Sequence, residues 1–416
     1  MIQYSRFTLP NGLRIIVHED RSTPLVTMNL LYDVGSRDED PEWTGLAHLF
    51  EHLMFGGSVN IPDFDMPLQL VGAENNAFTN NDITNYYITI PSDNIETAFW
   101  LESDRMLGLN FSQKGLDTQK NVVIEEYKQR YLNQPYGDAI LMLRPLAYRV
   151  HPYRWSTIGL DISHIEKVEL EQVKDFFYSH YAPNNAILSL AGNITPERAV
   201  QLARKWFGPI ERRKIKERHL PCEPFQNEER RLTAEKDVPA DAMYKVWHTD
   251  SRLSHDFQTL DLLTDILAGG ESGRLNTRLV REKKLFSEIN AYITSDLDPG
   301  LLVLHGNIMK DIDIECAEKA VNELIKELKI PGAIPLEEMD KIKNRFESST
   351  VFSNTSALNK AVNLAFYELL EKPEMINTEI EIYRQINSEM VEDAARRYLS
   401  LTNCSTLYYK SARKNR

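Results

Sequence analysis

The chain has 416 residues, 42% of them apolar and 26% charged, with a formal net charge of −13. That length exceeds one ordinary hydrophobic core and predicts at least two domains. The acidic balance excludes a nucleic-acid backbone as partner, because neutralising phosphates takes a surplus of Lys and Arg.

Strand signals open the chain. Residues 13–20 (LRIIVHED) and 26–35 (VTMNLLYDVG) are β-branched and apolar, and Asn11-Gly12 supplies a turn before them. The pattern predicts a helix over 43–55, ended by Gly56-Gly57 in the manner of a C-cap. Residues 84–91 (TNYYITIP) alternate like a half-buried strand, 95–132 and 194–207 read as helical, and 185–192 (NAILSLAG) reads as a strand between them. Strands and helices mix without a regular βαβ alternation, which argues for an α+β domain. The stretch 211–231 (ERRKIKERHLPCEPFQNEERR) is charged, holds two prolines and lacks apolar periodicity, so it reads as a linker.

After the linker the order of elements recurs, with a strand at 243–249 and a helix running to Gly269-Gly270. Setting Gly56-Gly57 on Gly269-Gly270 shifts the chain by 213 residues and lays His48 and His52 on Asp261 and Asp265. Leu53-Met54 then falls on Ile266-Leu267, so the apolar framework persists while the polar positions change. The ends of the halves also match, with Val173-Lys-Asp-Phe-Phe leading to Tyr181 and Val391-Glu-Asp-Ala-Ala to Tyr398. The expectation is two duplicated α+β domains, 1–210 and 232–416, joined by 211–231, with the chemistry in the first.

On a helix, residues four apart share a face, so His48 and His52 can turn two imidazoles to one ion. Two imidazoles suit zinc, and Glu51 between them can take the proton of a metal-bound water. A third protein ligand has to come from elsewhere. Residues 122–130 (VVIEEYKQR) offer adjacent carboxylates, and spacing alone does not choose between Glu125 and Glu126.

His48-Leu-Phe-Glu-His52 resembles the inverted zinc motif of the pitrilysin/insulinase metallopeptidases, the inverzincins. The blocks TGLAHLFEHLMFGGS, ENNAFTNNDITNYYITIP, NVVIEEYKQR, YAPNNAILSLAGNITPE and GGESGRLNTRLVREKK look like family blocks in family order and cover most of the chain. The resemblance implies zinc held by His48, His52 and Glu126, the last being the second carboxylate of its pair and 74 residues beyond His52. It implies Glu51 as general base and a substrate-receiving edge strand at Asn76 and Ala77. It also implies that the chain forms one half of a clamshell chamber, of the short type similar to mitochondrial processing peptidase subunits, completed by a second half-chamber subunit, either a paralogue or a second copy.

Two departures from the family pattern stand out. Gln119 occupies a position seven residues before Glu126 where many members have a glutamate. Arg281 matches a substrate-directed arginine of the second domain, but no tyrosine follows seven residues later. The resulting expectation is a zinc-dependent endopeptidase acting on short or unfolded peptides. One alternative is a non-catalytic subunit, which the intact HLFEH opposes. Another is a non-haem iron oxygenase, in which Glu51 would have no role.

Three widely spaced cysteines, Cys222, Cys316 and Cys404, suit a reducing compartment better than a disulfide framework. The first twenty residues have no apolar leader core, and no later run is long enough to span a bilayer. The expected location is the cytoplasm, with no membrane partner.

Overall fold

A computed structural model describes residues 1–412. They form two compact units. The first comprises residues 1–127, 155–220 and 350–378, and the second 128–154, 221–349 and 379 onward.

The first unit is built on a six-stranded sheet. Its strands in chain order are β1 (Ser5–Thr8), β2 (Arg14–Glu19), β3 (Leu25–Tyr32), β4 (Glu74–Thr79), β5 (Thr84–Pro91) and β6 (Ala186–Gly192). They lie in the spatial order β1-β2-β6-β3-β5-β4. Only β2 and β6 run parallel, with Ile15 opposite Leu188, and the other neighbours are antiparallel. Strand β3 is buried on both faces along almost its whole length, as a central strand has to be, and its buried polar side chains are paired, Asn29 with Asn85 and Thr27 with Thr89.

The second unit repeats this plan. Strands β7 (Arg230–Lys236), β8 (Ala242–His248), β9 (Phe286–Ile293), β10 (Leu301–Ile308) and β11 (Cys404–Ser411) lie in the order β7-β11-β8-β10-β9. This sheet too has one parallel pair, β7 with β11. Removing β1 makes the two orders superimpose strand for strand, so the duplication read from the Gly-Gly register is a duplication of topology.

Four helices of the first unit matter for the site: α1 (Leu46–Leu53), α2 (Asp65–Leu70), α3 (Ile95–Leu107) and α4 (Gln113–Tyr127). The single helix expected over 95–132 is thus broken, with Gly108 at the C-terminus of α3 in an extended conformation. The helix expected over 43–55 starts three residues late, because Gly45 is left-handed at φ +93° and sets the turn into α1. A Cβ there would lie 2.9 Å from the Ile158 carbonyl oxygen and from Ile165 Cδ1, so only glycine fits.

Each unit also takes in a helix from distant sequence. The helix Ala357–Leu369 lies on β3 and β6 of the first sheet, and α5 (Ala139–Ala147) lies on β7, β8 and β11 of the second. The stretch read as a linker is pinned down for most of its length. Arg218 reaches Asp38 Oδ1 at 2.7 Å, and Arg213 donates to the Met106 carbonyl at 3.0 Å, both in the first unit. In the second unit Glu223 accepts the backbone N–H groups of Arg149, Val150 and His151 at 2.7–3.0 Å. Arg213 thus caps a carbonyl, Arg218 pairs with a carboxylate and Glu223 caps three amides, and the last two residues of the stretch belong to β7. Among the described residues no helix is long and apolar enough to cross a membrane.

Candidate metal centre

Helix α1 has only two turns, so its orientation depends on what its sides touch. Phe50 is fully buried and packs among Phe176, Phe177 and Tyr181, with ring centroids 5.2, 6.2 and 5.2 Å away. His48 and His52 stand two residues on either side of Phe50, about 160° around the helix from it. Anchoring the aromatic face therefore turns both imidazoles toward the opposite side.

Helix α4 packs against α1 and presents Glu126 there. Its buried residues Leu116 and Val123 are seven apart, and Glu126 follows Val123 by three, so all three lie on one stripe. Glu125 sits one residue, about 100°, off that stripe and is exposed. The open choice between the two carboxylates is thus decided by helix phase: Glu126 faces α1 and Glu125 faces solvent. Gln119 falls on the same stripe two turns earlier and is half-buried.

Glu126 Oε2 stands 3.3 Å from His52 Nε2 and 3.6 Å from His48 Nε2. The two imidazoles meet edge to face with centroids 4.9 Å apart. One ligand atom from each of the three residues falls within 4.8 Å of the others, and this is the one such group among the described residues. Atoms held about 2.0–2.1 Å from one tetrahedral ion stand ~3.3 Å apart. A charge-assisted hydrogen bond is shorter, about 2.7–2.9 Å. The spacing and the two-nitrogen, one-oxygen donor set therefore fit zinc with an open fourth position.

Glu51 is half-buried on the same two turns of α1. Its charge reaches the Tyr86 and Tyr181 hydroxyls, which burial first of all holds above the ordinary phenol range. Both stay protonated at neutral pH.

One of the two edge strands of the sheet is β4, which lies against α1. Asn76 and Ala77 pair with Tyr87 and Tyr86 on the inner side. Asn76 Oδ1 accepts the Ala77 N–H at 2.8 Å, so this amide is capped by its neighbour's side chain. Arg281 belongs to the second unit, in the π-helical turn Asn276–Glu282, and pairs with exposed Glu271. Asp261 and Asp265, the repeat counterparts of the histidines, lie on the helix Phe257–Ala268. There Asp261 accepts from Tyr383 Oη at 2.7 Å, and Asp265 stands 3.7 Å from Arg345. Burial raises the carboxyl pKa of both.

Sequence reasoning missed Glu39. This buried carboxyl group accepts the N–H of Gly45 at 2.9 Å and of Ala47 at 2.8 Å, capping α1 from six and eight residues upstream. Capping motifs reach two or three residues, so no spacing rule finds it.

Residues 14–159 match the family model described as Insulinase (Peptidase family M16), and residues 167–346 match the one described as Peptidase M16 inactive domain. The chain belongs to peptidase family M16. The M16 relatives include the zinc protease PqqE of Helicobacter pylori, 27% identical over 419 residues, covering 98% of this chain and 93% of the relative. They also include the mitochondrial-processing peptidase subunit beta of Saccharomyces cerevisiae, 28% identical over 205 residues, 49% of this chain and 44% of that one. A solved structure of a protease from Helicobacter pylori superimposes with a TM-score of 0.93 at 27% identity, covering 99% of this chain and 100% of the other. The match to an inactive M16 domain falls on the part of the chain where the repeat has aspartates in place of histidines.

Proposed function

We propose that this chain is a zinc-dependent endopeptidase for short or unfolded peptides and forms one half of a two-half chamber. The observation that carries the reading is the convergence of His48 and His52, on the two-turn helix α1 beside Glu51, with Glu126 of α4. His48, His52 and Glu126 hold the metal. Bound zinc supplies Lewis acidity toward a peptide carbonyl and lowers the pKa of a water. Glu51 takes the proton of the attacking water and returns it to the leaving amine.

The free edge of β4 receives the peptide as an added strand, which reads extended backbone shape more than side-chain identity. Asn76 and Ala77 provide those backbone contacts once the Asn76 amide swings off the Ala77 N–H. Arg281 is a substrate contact on the strength of the family likeness. A second half completes the chamber, and the likeness to a protein named as a subunit supports a paralogous partner. A second copy of this chain is the other candidate, and hydrolysis by the isolated chain compared with hydrolysis after titrating in the paralogue separates the two.

The test of the chemistry is Glu51→Gln. The variant should keep its fold and bind zinc with the wild-type stoichiometry while losing hydrolysis of an unstructured fluorogenic peptide. Turnover retained by the zinc-loaded variant would sink the mechanism.

A further inference from the structure

Both metal-directed histidines ride on a helix of eight residues. A helix this short has little intrinsic stability, so its position comes from its ends and its packing. Phe50 anchors one side, but a side contact leaves the helix free to tilt about it. What holds the N-terminal end lies outside the HLFEH motif.

The usual device is absent. The residue preceding the helix is Gly45, which has no side chain to accept the first orphan N–H groups. Glu39 accepts two of them instead, with Oε2 on the Gly45 N–H at 2.9 Å and Oε1 on the Ala47 N–H at 2.8 Å. Both oxygens of one buried group are thus tied to the residues before His48. A second hold sits on the preceding residue, where Thr44 Oγ1 contacts His164 Nδ1 at 2.8 Å and accepts the Leu160 N–H at 2.8 Å. Trp155, in the same chain segment as Leu160 and His164, donates its indole N–H to the Ser36 carbonyl at 2.9 Å and so fixes the start of the Glu39 loop.

We propose that Glu39 is a positioning residue for the metal centre, setting the tilt of α1 so that His48 and His52 meet Glu126 at ligand spacing. The inference rests on the metal reading above and adds a residue that touches no ligand atom. Metal bonds tolerate about 0.2 Å, so a small tilt of a two-turn helix is enough to spoil the site. A glutamine at this position keeps one acceptor oxygen but turns an NH₂ group toward the other backbone N–H. One buried donor then loses its partner, and the helix end has to move.

The experiment measures zinc affinity by competition with a chromophoric chelator, together with the visible spectrum of the cobalt-substituted protein. It compares the wild type with Glu39→Gln, Glu39→Asp and Thr195→Ala. Thr195 caps the helix Pro196–Trp206 by accepting the Arg198 N–H at 3.2 Å, and it serves as a cap removed away from the metal. Loss of a residue that orients metal ligands lowers affinity about 10–100-fold. Glu39→Gln should lose zinc affinity in that range and show an altered cobalt spectrum. Glu39→Asp, one methylene short, should hold one of the two N–H groups and fall between Glu39→Gln and the wild type. Should Glu39→Gln fail to fold, the Asp variant carries the comparison. Thr195→Ala should melt earlier than the wild type with unchanged affinity and spectrum. Wild-type affinity and spectrum in both Glu39 variants overturn the inference, as does a loss in Thr195→Ala equal to theirs. A His48→Ala protein that binds zinc like the wild type would instead overturn the metal reading, and this inference with it.

Discussion

Replacing Glu126 by glutamine removes one charged donor oxygen and leaves the shape of α4 unchanged. A four-ligand zinc site binds with about 10–16 kcal/mol in all, so one ligand is worth roughly 3 kcal/mol, or ~10²–10³ in affinity. The structure predicts that this loss is specific to one of two adjacent carboxylates. Glu126 Oε2 lies 3.3 and 3.6 Å from the two imidazole nitrogens, whereas Glu125 is exposed and points off the buried stripe. Glu125→Gln changes an exposed group, and an ion pair or hydrogen bond made at such a site is worth about 1 kcal/mol or less, therefore under tenfold. Chelator competition on both variants at neutral pH, with circular dichroism to confirm the fold, measures the ratio. Equal losses, or a larger loss in Glu125→Gln, would refute both the phase argument on α4 and the ligand assignment.

Three further outcomes follow from the packing and the charges. Phe50→Ala empties a fully buried site among three aromatic rings and should cost about 3–5 kcal/mol in chemical denaturation; a cost under about 1 kcal/mol would show that the ring does not anchor α1. Burial alone would raise the Glu318 carboxyl, but Arg231, Lys245 and Tyr408 outweigh it and hold it at about 2 against an ordinary 4.5. A lowered carboxyl stabilises the fold above its unfolded value, so about 3 kcal/mol should be lost as pH falls from ~4.5 to ~2, and Glu318→Gln should flatten that part of the stability curve. Glu39 behaves oppositely, since burial lifts it to about 8 against the two N–H donors. A raised acid stabilises fully below its unfolded value and loses that as pH rises through the folded one. Wild-type stability should therefore fall relative to Glu39→Gln between pH ~5 and ~8, by up to about 1.4 kcal/mol per pH unit, and parallel curves would show that the group titrates normally.

Much of the molecule was legible in the sequence because its signals are local. The i, i+4 histidines with Glu51 between them identify a metal-directed helix face without any tertiary contact, since helix geometry alone places them together. The strand at Thr84–Pro91 alternates along its own length, and the Gly-Gly register exposed a duplication that the two sheet orders repeat. What the sequence left open depends on partners far along the chain. Glu125 and Glu126 differ only in helix phase against α1, and that phase exists once Leu116 and Val123 have found a surface to bury. Residues 211–231 read as a linker because guanidinium groups that cap carbonyls have the same composition as guanidinium groups in water. The helix Ala357–Leu369 was invisible as part of the first unit, because nothing in an amphipathic pattern names the sheet it covers. Glu39 was missed for the same reason: a carboxyl group that closes the end of a helix six residues away does so only after the intervening turn has folded back upon it.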